Sequence, residues 1–368
     1  MQVRLDKRAR IIDEGGQAYP VDLLRDHTLK QIREKYTDEA GELTLEVGEE
    51  VPDDVVTIGG RVMFLRNTGK LCFTSLQDGF TESSNGERLQ VMLSKALVGE
   101  QALAAWKSDV DLGDFVWVKG FVARSRRGEL SVMATEWKMA SKALRPLPTL
   151  HKELGEETRV RRRYADLVAR EEARQMVRVR AAITRAIRTT LDELGFLEIE
   201  TPILQLVHGG AAARPFNTHL NAFDIGMSLR IALELYLKRA MVGGMDRVYE
   251  MGRVFRNEGI DSNHSAEFTM LEAYMSWGNQ FTIAEVIQQI IVRAADALGG
   301  RQIQTEQGVI DLDGQWEWVH VHPELSRRLG REITLDTPVE ELRAIAAEHD
   351  VEIDPAWEAG KIVMELFG

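Results

Sequence analysis

Five short segments rich in β-branched and aromatic residues follow one another between residues 57 and 139, and they constrain the fold more than any other part of the chain. They read TIGGRVMFLR, KLCFTSLQD, RLQVMLS, FVWVKGFVARS and ELSVMATEWKM, with Gly and Asn turns between them. Such residues favour strands, and turns between them favour short connections. A helical segment, LVGEQALAAWKS, separates the third strand from the fourth. The pattern predicts a small closed β-barrel with one helix between its third and fourth strands.

This order of strands and helix is that of an OB barrel. We therefore predict a five-stranded OB-fold domain over residues 51–142. Residues 1–50 precede it as a polar leader that contains a helical segment from Leu29 to Tyr36. Residues 143–168 follow it and begin with ALRPLP, whose two prolines indicate a linker.

The second half of the chain opens with a long amphipathic helix near residues 171–194. Gly195 follows this helix and is expected to end it. The apolar residues of the helix recur at steps of three and four, which predicts one stripe: Met176, Val179, Ile183, Ile187, Leu191 and Leu194. Residues 228–275 then alternate helix and strand, and residues 281–299 form another helix.

Length, net charge and cysteine content indicate which class of protein this chain belongs to. The 368 residues suggest two or three domains, and the net charge of −12 argues against a protein that coats nucleic acid nonspecifically. The single cysteine, Cys72, excludes an internal disulfide and fits a reducing compartment. No apolar run approaches the roughly 18 residues that a membrane span needs, and the N-terminus has no apolar signal core. We therefore predict a cytoplasmic protein without membrane contact.

The segment 248–277 carries the clearest chemistry. VYEMGRVF and EFTMLEAYMSW read as two strands, and RNEGIDSNHSA reads as the loop between them. A period of two places four side chains of the second strand on one face: Phe268, Met270, Glu272 and Tyr274. Arg256 leaves the first strand at the base of the loop, where its guanidinium suits a phosphate or a carboxylate. The plain alternative is a surface hairpin with a charged loop.

These residues resemble a known family. FRNEG, followed by His, Glu-Phe and Glu at these spacings, resembles motif 2 of class II aminoacyl-tRNA synthetases, and GFLEIETP resembles motif 1, the dimer-interface helix and strand. HGGAAARPF at 208–216 and LRIALELYLKRAMVGG at 229–244 are similar to the lysyl-tRNA synthetase family of bacteria. So are LRPLP, RRRYADL and the barrel segment, so the resemblance covers nearly the whole chain. It implies an α+β fold, in which the OB barrel is joined to a class II antiparallel-sheet catalytic domain over residues 169–368.

The resemblance implies an ATP site on the hairpin. Arg256 would hold the α-phosphate and act as the catalytic residue, and Phe268 would stack on the adenine. Glu258 would contact the adenine edge, and His264 would meet the β- and γ-phosphates. Mg²⁺ would bridge the phosphates without a metal ligand from the residues present. The usual nucleotide motifs, GxxxxGK[ST] and GxGxxG after a strand, do not occur, and the histidines show no zinc-ligand spacing.

The resemblance also implies a site for L-lysine. Arg256 would bind the lysine carboxylate as well as ATP, and Glu234, Glu272 and the backbone at Gly210 would receive the α-ammonium. Tyr274 would help to bind the ε-ammonium. The implied reaction is attack of the lysine carboxylate on the α-phosphorus, followed by transfer of the lysyl group to tRNA(Lys), in a homodimer formed through motif 1.

The barrel would bind the anticodon of tRNA(Lys). Phe73 would stack on a base, and Gln90 and Arg61 would read base edges. The alternative for Phe73 is an aromatic side chain in the barrel core. The segment FTESSNGER at 80–88 is an insertion relative to the family, and we expect it to affect how the anticodon region is approached.

The sequence departs from the family at several places. Leu233 and Ala266 stand where lysyl enzymes usually carry proline. The family continues past KIVMELF into motif 3 with its γ-phosphate arginine, the acidic Mg²⁺ site and the group that caps the ε-ammonium, and we expect this chain to lack that part. Alternatives therefore stay open: a lysine–tRNA ligase, an inactive paralogue that binds tRNA and dimerises, or a ligase that lysylates another acceptor. The pocket segments argue against the aspartyl and asparaginyl enzymes.

Overall fold

The computed structural model describes residues 1–148, 154–261, 263–306 and 308–368. The chain forms two compact units, Met1–Gly299 and Gly300–Gly368. Part of the predicted linker, residues 149–153, lies outside the described residues, as does Ser262 of the predicted hairpin loop. None of the helices in the described ranges is long and apolar enough to cross a membrane.

The predicted five-stranded barrel is confirmed. Its strands close in the order β1-β2-β3-β5-β4, and β3 pairs with β5 in parallel. The elements of this region, with two helices before the barrel, are α1 (Gln2–Asp13), α2 (Leu29–Lys35), β1 (Glu50–Thr68), β2 (Leu71–Gln77), β3 (Arg88–Ser94), α3 (Lys95–Val98), α4 (Glu100–Asp109), β4 (Phe115–Arg124) and β5 (Leu130–Ser141). The single helix predicted between the third and fourth strands is in fact two helices, because Gly99 adopts a φ of +84° between them.

The leader packs onto the barrel. A capping box formed by Thr28 and Gln31 starts α2, which presents Leu29 and Ile32 to the barrel core. Tyr36 and Leu45 belong to the same core. In β2 the buried positions alternate with less buried ones, as a strand with one face on a core requires.

A buried ion cluster fastens the end of the last barrel strand. Lys142 follows β5, and its fully buried ammonium donates to Asp111 Oδ2 at 2.6 Å and to Asp114 Oδ2 at 2.7 Å. Its third hydrogen bond goes to the carbonyl oxygen of Asp109 at 2.7 Å. The start of the proline-containing segment is therefore held firmly on the barrel.

The rest of the first unit mixes helices with short sheets. The three-stranded sheet has the order β11-β10-β6, in which β10 and β11 are antiparallel and β6 joins in parallel; a second sheet has the order β7-β9-β8. The elements are α5 (Glu156–Arg161), α6 (Arg163–Ala169), α7 (Glu171–Glu193), β6 (Leu197–Glu198), β7 (Leu204–Gln205), β8 (Asn217–Leu220), β9 (Ile225–Leu229), α8 (Glu234–Val242), β10 (Arg247–Phe255), β11 (Glu267–Met275) and α9 (Gln280–Asp296).

The β10–β11 hairpin separates two hydrophobic clusters. Tyr249 and Leu271 point to the side of α7 and α9, where they pack with Leu191 and Val286. The opposite face packs on α8 through a second cluster that includes Leu237, Val248, Val254, Phe268 and Tyr274. The α7 and α9 side of the hairpin is therefore apolar. The side that faces α8 carries polar and aromatic side chains as well as apolar ones.

The predicted stripe of α7 is buried only in its C-terminal half. Ile187, Leu191 and Leu194 pack in the cluster below the hairpin, whereas Met176 is 60% exposed. Gly195 has a φ of +80° and ends the helix, as predicted.

The loop at residues 80–88 contacts α7. Arg174 Nε donates to the carbonyl oxygen of Asn85 at 2.7 Å, and Arg178 donates to the carbonyl oxygen of Glu82. The Glu82 carboxylate also pairs with Arg185. The loop therefore joins the barrel to the long helix, away from the surface on which Phe73 lies.

The second unit is a hairpin followed by three helices: β12 (Gln302–Thr305), β13 (Gly308–Asp311), α10 (Val321–Leu329), α11 (Val339–Glu348) and α12 (Ala359–Phe367). It has its own core, which includes Leu325, Ile333, Leu342, Ile345, Ile362 and Val363.

Candidate functional site

The register of the hairpin assembles one chemically mixed face. Directly opposite pairs in an antiparallel ladder point to the same side of the sheet. The pairs on this side are Val248 with Tyr274, Glu250 with Glu272, Gly252 with Met270, and Val254 with Phe268. The face therefore has an aromatic residue near the loop and carboxylate and phenol groups at its other end.

Arg256 lies at the loop end of this face. Its Nε donates to the carbonyl oxygen of Ile231 at 3.4 Å, and its guanidinium carbon lies 5.2 Å from the centre of the Phe268 ring. Its backbone N–H donates to Ala266 across the base of the loop at 2.9 Å. The two terminal nitrogens of the guanidinium have no hydrogen-bond partner within the described residues, so this end of the side chain is available to an anion.

Glu272 and Tyr274 form the acidic end. Glu272 Oε1 accepts from the backbone N–H of Leu233 at 3.0 Å, and Oε2 accepts from the Tyr274 hydroxyl at 2.8 Å. Burial raises the pKa of Tyr274 well above its ordinary value, and the hydrogen bond to Glu272 and the charges of Glu272 and Glu234 raise it further. The phenol therefore keeps its proton and holds one oxygen of Glu272.

Gly210 and Glu234 lie against each other beside this end. Gly210 has a φ of +88°, and a Cβ atom there would lie 2.9 Å from Glu234 Cβ, so a side chain is excluded by both strain and space. Glu234 is the first residue of α8, and its Oε1 accepts from Lys238 Nζ at 2.7 Å. The structure thus brings together the four residues predicted for the ammonium end.

Glu258 and His264 lie on the exposed loop. His264 is 75% exposed, and its Nδ1 lies 2.8 Å from Asp261 Oδ2. The hydrogen bond from His264, together with backbone hydrogen bonds, lowers the pKa of Asp261. The backbone N–H of Asn257 donates to Arg214 at 2.8 Å, which ties the loop to the segment 208–216. Within the described residues, neither Glu258 nor His264 forms a hydrogen bond or an ion pair with Arg256 or Phe268, so the structure does not bring them together with those residues.

Arg230 and Glu250 were not predicted as part of this site. They form a buried ion pair on the same side of the hairpin as Glu272, with Arg230 Nη1 2.6 Å from Glu250 Oε1. Each reads in the sequence as one charged residue in an otherwise apolar segment, RIAL and VYEM, which is the signal that they are buried and paired.

The barrel carries a separate groove of about 860 Å³. Phe73 is half-buried on its wall, outside the barrel core, and the Arg66 guanidinium carbon lies 4.7 Å from the centre of the Phe73 ring. Gln90 also lines the groove, and its Nε2 donates to Ser131 Oγ at 2.9 Å. The turn between β4 and β5 adds two exposed cations at the rim, Arg126 and Arg127.

Arg61 lies apart from Phe73 and Gln90. Its guanidinium carbon lies 4.3 Å from the centre of the Phe115 ring, and Nη1 donates to the carbonyl oxygen of Gly113 at 3.1 Å. It lines a different cavity, which also includes Leu167 and Val168 of α6. Burial lowers the pKa of Arg61. The structure therefore groups Phe73 with Gln90 and gives Arg61 a place beside α6.

Comparison with known proteins shows the family of both domains. Residues 155–357 match the family model of class II tRNA synthetases (D, K and N), and residues 56–140 match the model of the OB-fold nucleic acid binding domain. The chain is 54% identical to the lysine–tRNA ligase of Kineococcus radiotolerans, over all of this chain and 72% of the relative. The chain belongs to the lysine–tRNA ligase family. It is also 52% identical to lysine–tRNA ligase 1 of Mycobacterium tuberculosis, over 72% of that protein.

A more distant relative is the lysylphosphatidylglycerol biosynthesis bifunctional protein LysX of Rhodococcus jostii, which is 39% identical over all of this chain and 32% of the relative. The lysine–tRNA ligase family is a family of enzymes, and its OB-fold and class II synthetase domains are those predicted from the sequence.

Leu233 departs from the lysine–tRNA ligase family in a way that changes a contact. The proline usual in the family has no N–H, whereas the N–H of Leu233 binds Glu272 at 3.0 Å. Ala266, the other departure, accepts the hydrogen bond from Arg256 through its carbonyl oxygen, which a proline would also supply.

Metal ligands are not grouped in the described parts of the chain. Within residues 1–148, 154–261, 263–306 and 308–368, no cluster of three or more His, Cys, Asp or Glu side chains is arranged to hold a metal ion. No side chain among these described residues is therefore assigned to Mg²⁺.

Proposed function

We propose that the chain activates L-lysine with ATP to form lysyl-adenylate and transfers the lysyl group to tRNA(Lys). The observation that carries the proposal is the polarity of the hairpin face. An arginine with free guanidinium nitrogens lies over an aromatic ring at one end, and two carboxylates, Glu234 and Glu272, lie beside a phenol at the other. A diamino acid has ammonium groups for the acidic end and a carboxylate for the arginine.

The proposed lysine site uses the acidic end. Glu234, Glu272 and the Gly210 backbone receive the α-ammonium, and the Tyr274 oxygen helps to bind the ε-ammonium. Both Glu272 oxygens are already oriented by hydrogen-bond donors, so the carboxylate needs little reorganisation when the ligand binds. Glu234 exchanges its contact with Lys238 for one with the ligand.

The proposed ATP site uses the loop end. Phe268 stacks on adenine, and Glu258 contacts the adenine edge. His264, oriented by Asp261, binds the β- and γ-phosphates. Arg256 binds the α-phosphate and the lysine carboxylate together, so it neutralises the two anions that must meet. A carboxylate oxygen then attacks the α-phosphorus, a new phosphorus–oxygen bond forms, and the bond to the β-phosphate breaks, which releases pyrophosphate.

The remaining assignments belong to the same proposal. Mg²⁺ accompanies ATP as an expectation from the family resemblance. Apolar side chains exposed on α7 and after it, such as Met176, Leu197 and Leu206, support a homodimer through motif 1. A cytoplasmic location and the predicted domain boundaries 1–50, 51–142, 143–168 and 169–368 stay predictions.

Amino-acid-dependent ATP–pyrophosphate exchange tests the proposal. L-Lysine should support exchange, and L-aspartate and L-asparagine should not, because their side chains carry no ε-ammonium to place beside Tyr274. Exchange with aspartate instead, or no exchange with any amino acid by the folded protein, would contradict the proposed activation. Charging of tRNA(Lys) after successful exchange distinguishes a tRNA ligase from an enzyme that uses another acceptor.

Replacing Phe73 with alanine is expected to weaken binding of the tRNA(Lys) anticodon stem-loop by about 1–3 kcal/mol, because a stacking surface for one base is lost. Fluorescence anisotropy with a labelled stem-loop measures the change. Phe80, which lies outside the groove beside Arg61, provides the control, and Phe80→Ala should bind as the unmodified protein does. Equal binding by the Phe73 variant would show that the groove is not the anticodon site.

Replacing Leu233 with proline is expected to raise the KM for lysine about tenfold, because Glu272 loses a hydrogen bond worth roughly 1.5 kcal/mol. Leu233→Ala keeps the backbone N–H and is the matched control, with a smaller change in KM. Steady-state exchange at varied lysine measures both. A larger effect of alanine than of proline would assign the importance of Leu233 to its side chain.

A further inference from the structure

We propose that Arg230 is a positioning residue for Arg256. Its buried guanidinium and its backbone fix the end of β10, and so they set the point from which the Arg256 side chain enters the site. The expected effect on catalysis rests on the proposed function. The expected effect on the structure can be measured without any activity.

The Arg230 side chain binds β10 on the same side of the sheet as Glu272. It is 3% exposed, and its Nε donates to the carbonyl oxygen of Arg253 at 2.7 Å. Nη1 donates to Glu250 Oε1 at 2.6 Å and to the carbonyl oxygen of Thr201 at 3.0 Å. The Thr201 hydroxyl donates to the other Glu250 oxygen at 2.5 Å. One guanidinium thus joins the middle and the end of β10 to the segment that follows β6.

The Arg230 backbone binds the last residue of the same strand. Its carbonyl oxygen accepts from the N–H of Phe255 at 2.9 Å, and its N–H donates to Ile203 at 2.9 Å. The next carbonyl oxygen, that of Ile231, accepts from Arg256 Nε. Arg230 therefore holds β10 at Arg253 and Phe255, and Ile231 binds the Arg256 side chain directly.

Gly252 leaves the space that Arg230 occupies. A Cβ atom at Gly252 would lie 2.2 Å from Arg230 Nη2 and 3.0 Å from Glu250 Oε1. Gly252 does not adopt a positive φ, so the reason for a glycine is space rather than conformation. A methyl group there would displace the guanidinium and change no charge.

The ion pair between Arg230 and Glu250 also gives Glu250 a different role from Glu272. Glu250 lies directly opposite Glu272, and like charges in that position destabilise a sheet. Arg230 offsets the charge of Glu250, which leaves Glu272 as the carboxylate that faces the ligand.

Two variants test the proposal with one control. Gly252→Ala displaces Arg230 sterically, and the double variant Arg230→Met/Glu250→Gln removes both charges together, which avoids an unpaired buried charge and preserves folding. Gly226→Ala in β9 is the control, since a Cβ atom there meets nothing within 4 Å. We expect both test variants to lower the kcat of lysine-dependent exchange about a hundredfold with little change in the KM for lysine, because a displaced reacting group affects the transition state.

Hydrogen exchange supplies a readout that needs no activity. The amides of Phe255 and Arg256 should exchange at least about tenfold faster in the double variant, while the amides of the barrel strands stay as protected as in the unmodified protein and Gly226→Ala changes neither group. Absence of ATP–pyrophosphate exchange by the unmodified protein would overturn the proposed function. Hydrogen exchange of the two amides would then test the positioning role of Arg230 by itself. Unchanged protection of these amides, or an unchanged kcat in an active protein, would overturn the role of Arg230.

Discussion

Replacing Lys142 with methionine is expected to lower the free energy of unfolding by about 3–5 kcal/mol, which is the cost of breaking a buried ion pair by removing one partner. The side chains of Lys142 and Asp114 are both fully buried, 2.7 Å apart. Methionine fills a similar volume but leaves the buried Asp114 carboxylate without its cation, while Asp111 keeps only Lys7. The carbonyl oxygen of Asp109 also loses its donor.

Urea denaturation measures the loss, and Lys95→Met provides the control. Lys95 is 43% exposed and pairs with Glu100 at the surface, so its replacement should change stability by no more than about 0.5 kcal/mol. A Lys142 variant as stable as the control would show that the cluster adds no net stability to the barrel.

The same cluster predicts a pH dependence. Burial alone would raise the pKa of Asp111, but hydrogen bonds from Lys142 and Lys7 lower it below its ordinary value of 3.8. A carboxylate with a lowered pKa in the folded state stabilises the protein above its unfolded pKa, and the contribution is lost as pH falls through the folded value. The unmodified protein should therefore lose stability more steeply than Lys142→Met below about pH 4.

The barrel could be predicted because each strand and the turns that bound it are determined by residues close together in the sequence. Strand β3 begins and ends at the predicted residues, Arg88 and Ser94, since turn residues bound a short alternating run. The division of the following helix at Gly99 was missed. The surrounding residues favour a helix, and only the backbone angle at one glycine separates α3 from α4.

The site was predictable to the extent that it depends on strand periodicity. Phe268 and Glu272 share a face because side chains alternate along β11, and no tertiary information is needed for that inference. The separation of Arg61 from Phe73 could not be read in this way. Periodicity assigns a side chain to a face but not to a position along a closed barrel, and Arg61 pairs with Gln77 whereas Phe73 pairs with Arg66.

Contacts between residues far apart in the sequence were not predicted either. Arg230 and Glu250 are 20 residues apart, and their pairing depends on how the segment before α8 crosses β10. The contact from Leu233 to Glu272 likewise spans 39 residues. Sequence reasoning recognised Leu233 as a departure from the family, but only the fold shows that its N–H has acquired a partner.

Replacing Arg256 with lysine is expected to reduce lysine-dependent ATP–pyrophosphate exchange by about 10²–10³-fold, although the positive charge is kept. The proposed role requires two anions to be bound by one planar group, and an ammonium cannot offer the same pair of parallel N–H donors. A lysine side chain at position 256 would also lose the contact that the planar guanidinium makes with the Phe268 ring. The defect should lie mainly in kcat, since the two negative groups approach each other only as the reaction proceeds.

Arg253→Lys is the matched control for this variant. Arg253 lies on β10, three residues before Arg256, but its side chain is 53% exposed and pairs with Glu267 at 3.5 Å, so its replacement should leave exchange within about twofold. Steady-state exchange at varied ATP and lysine, with thermal unfolding of each variant, separates catalysis from stability. If Arg256→Lys and Arg253→Lys behaved alike, charge alone would suffice at the loop end, and the bidentate role proposed for Arg256 would be wrong. If only Arg256→Lys lost kcat while both variants unfolded at the same temperature, the fork geometry of Arg256 would account for the loss.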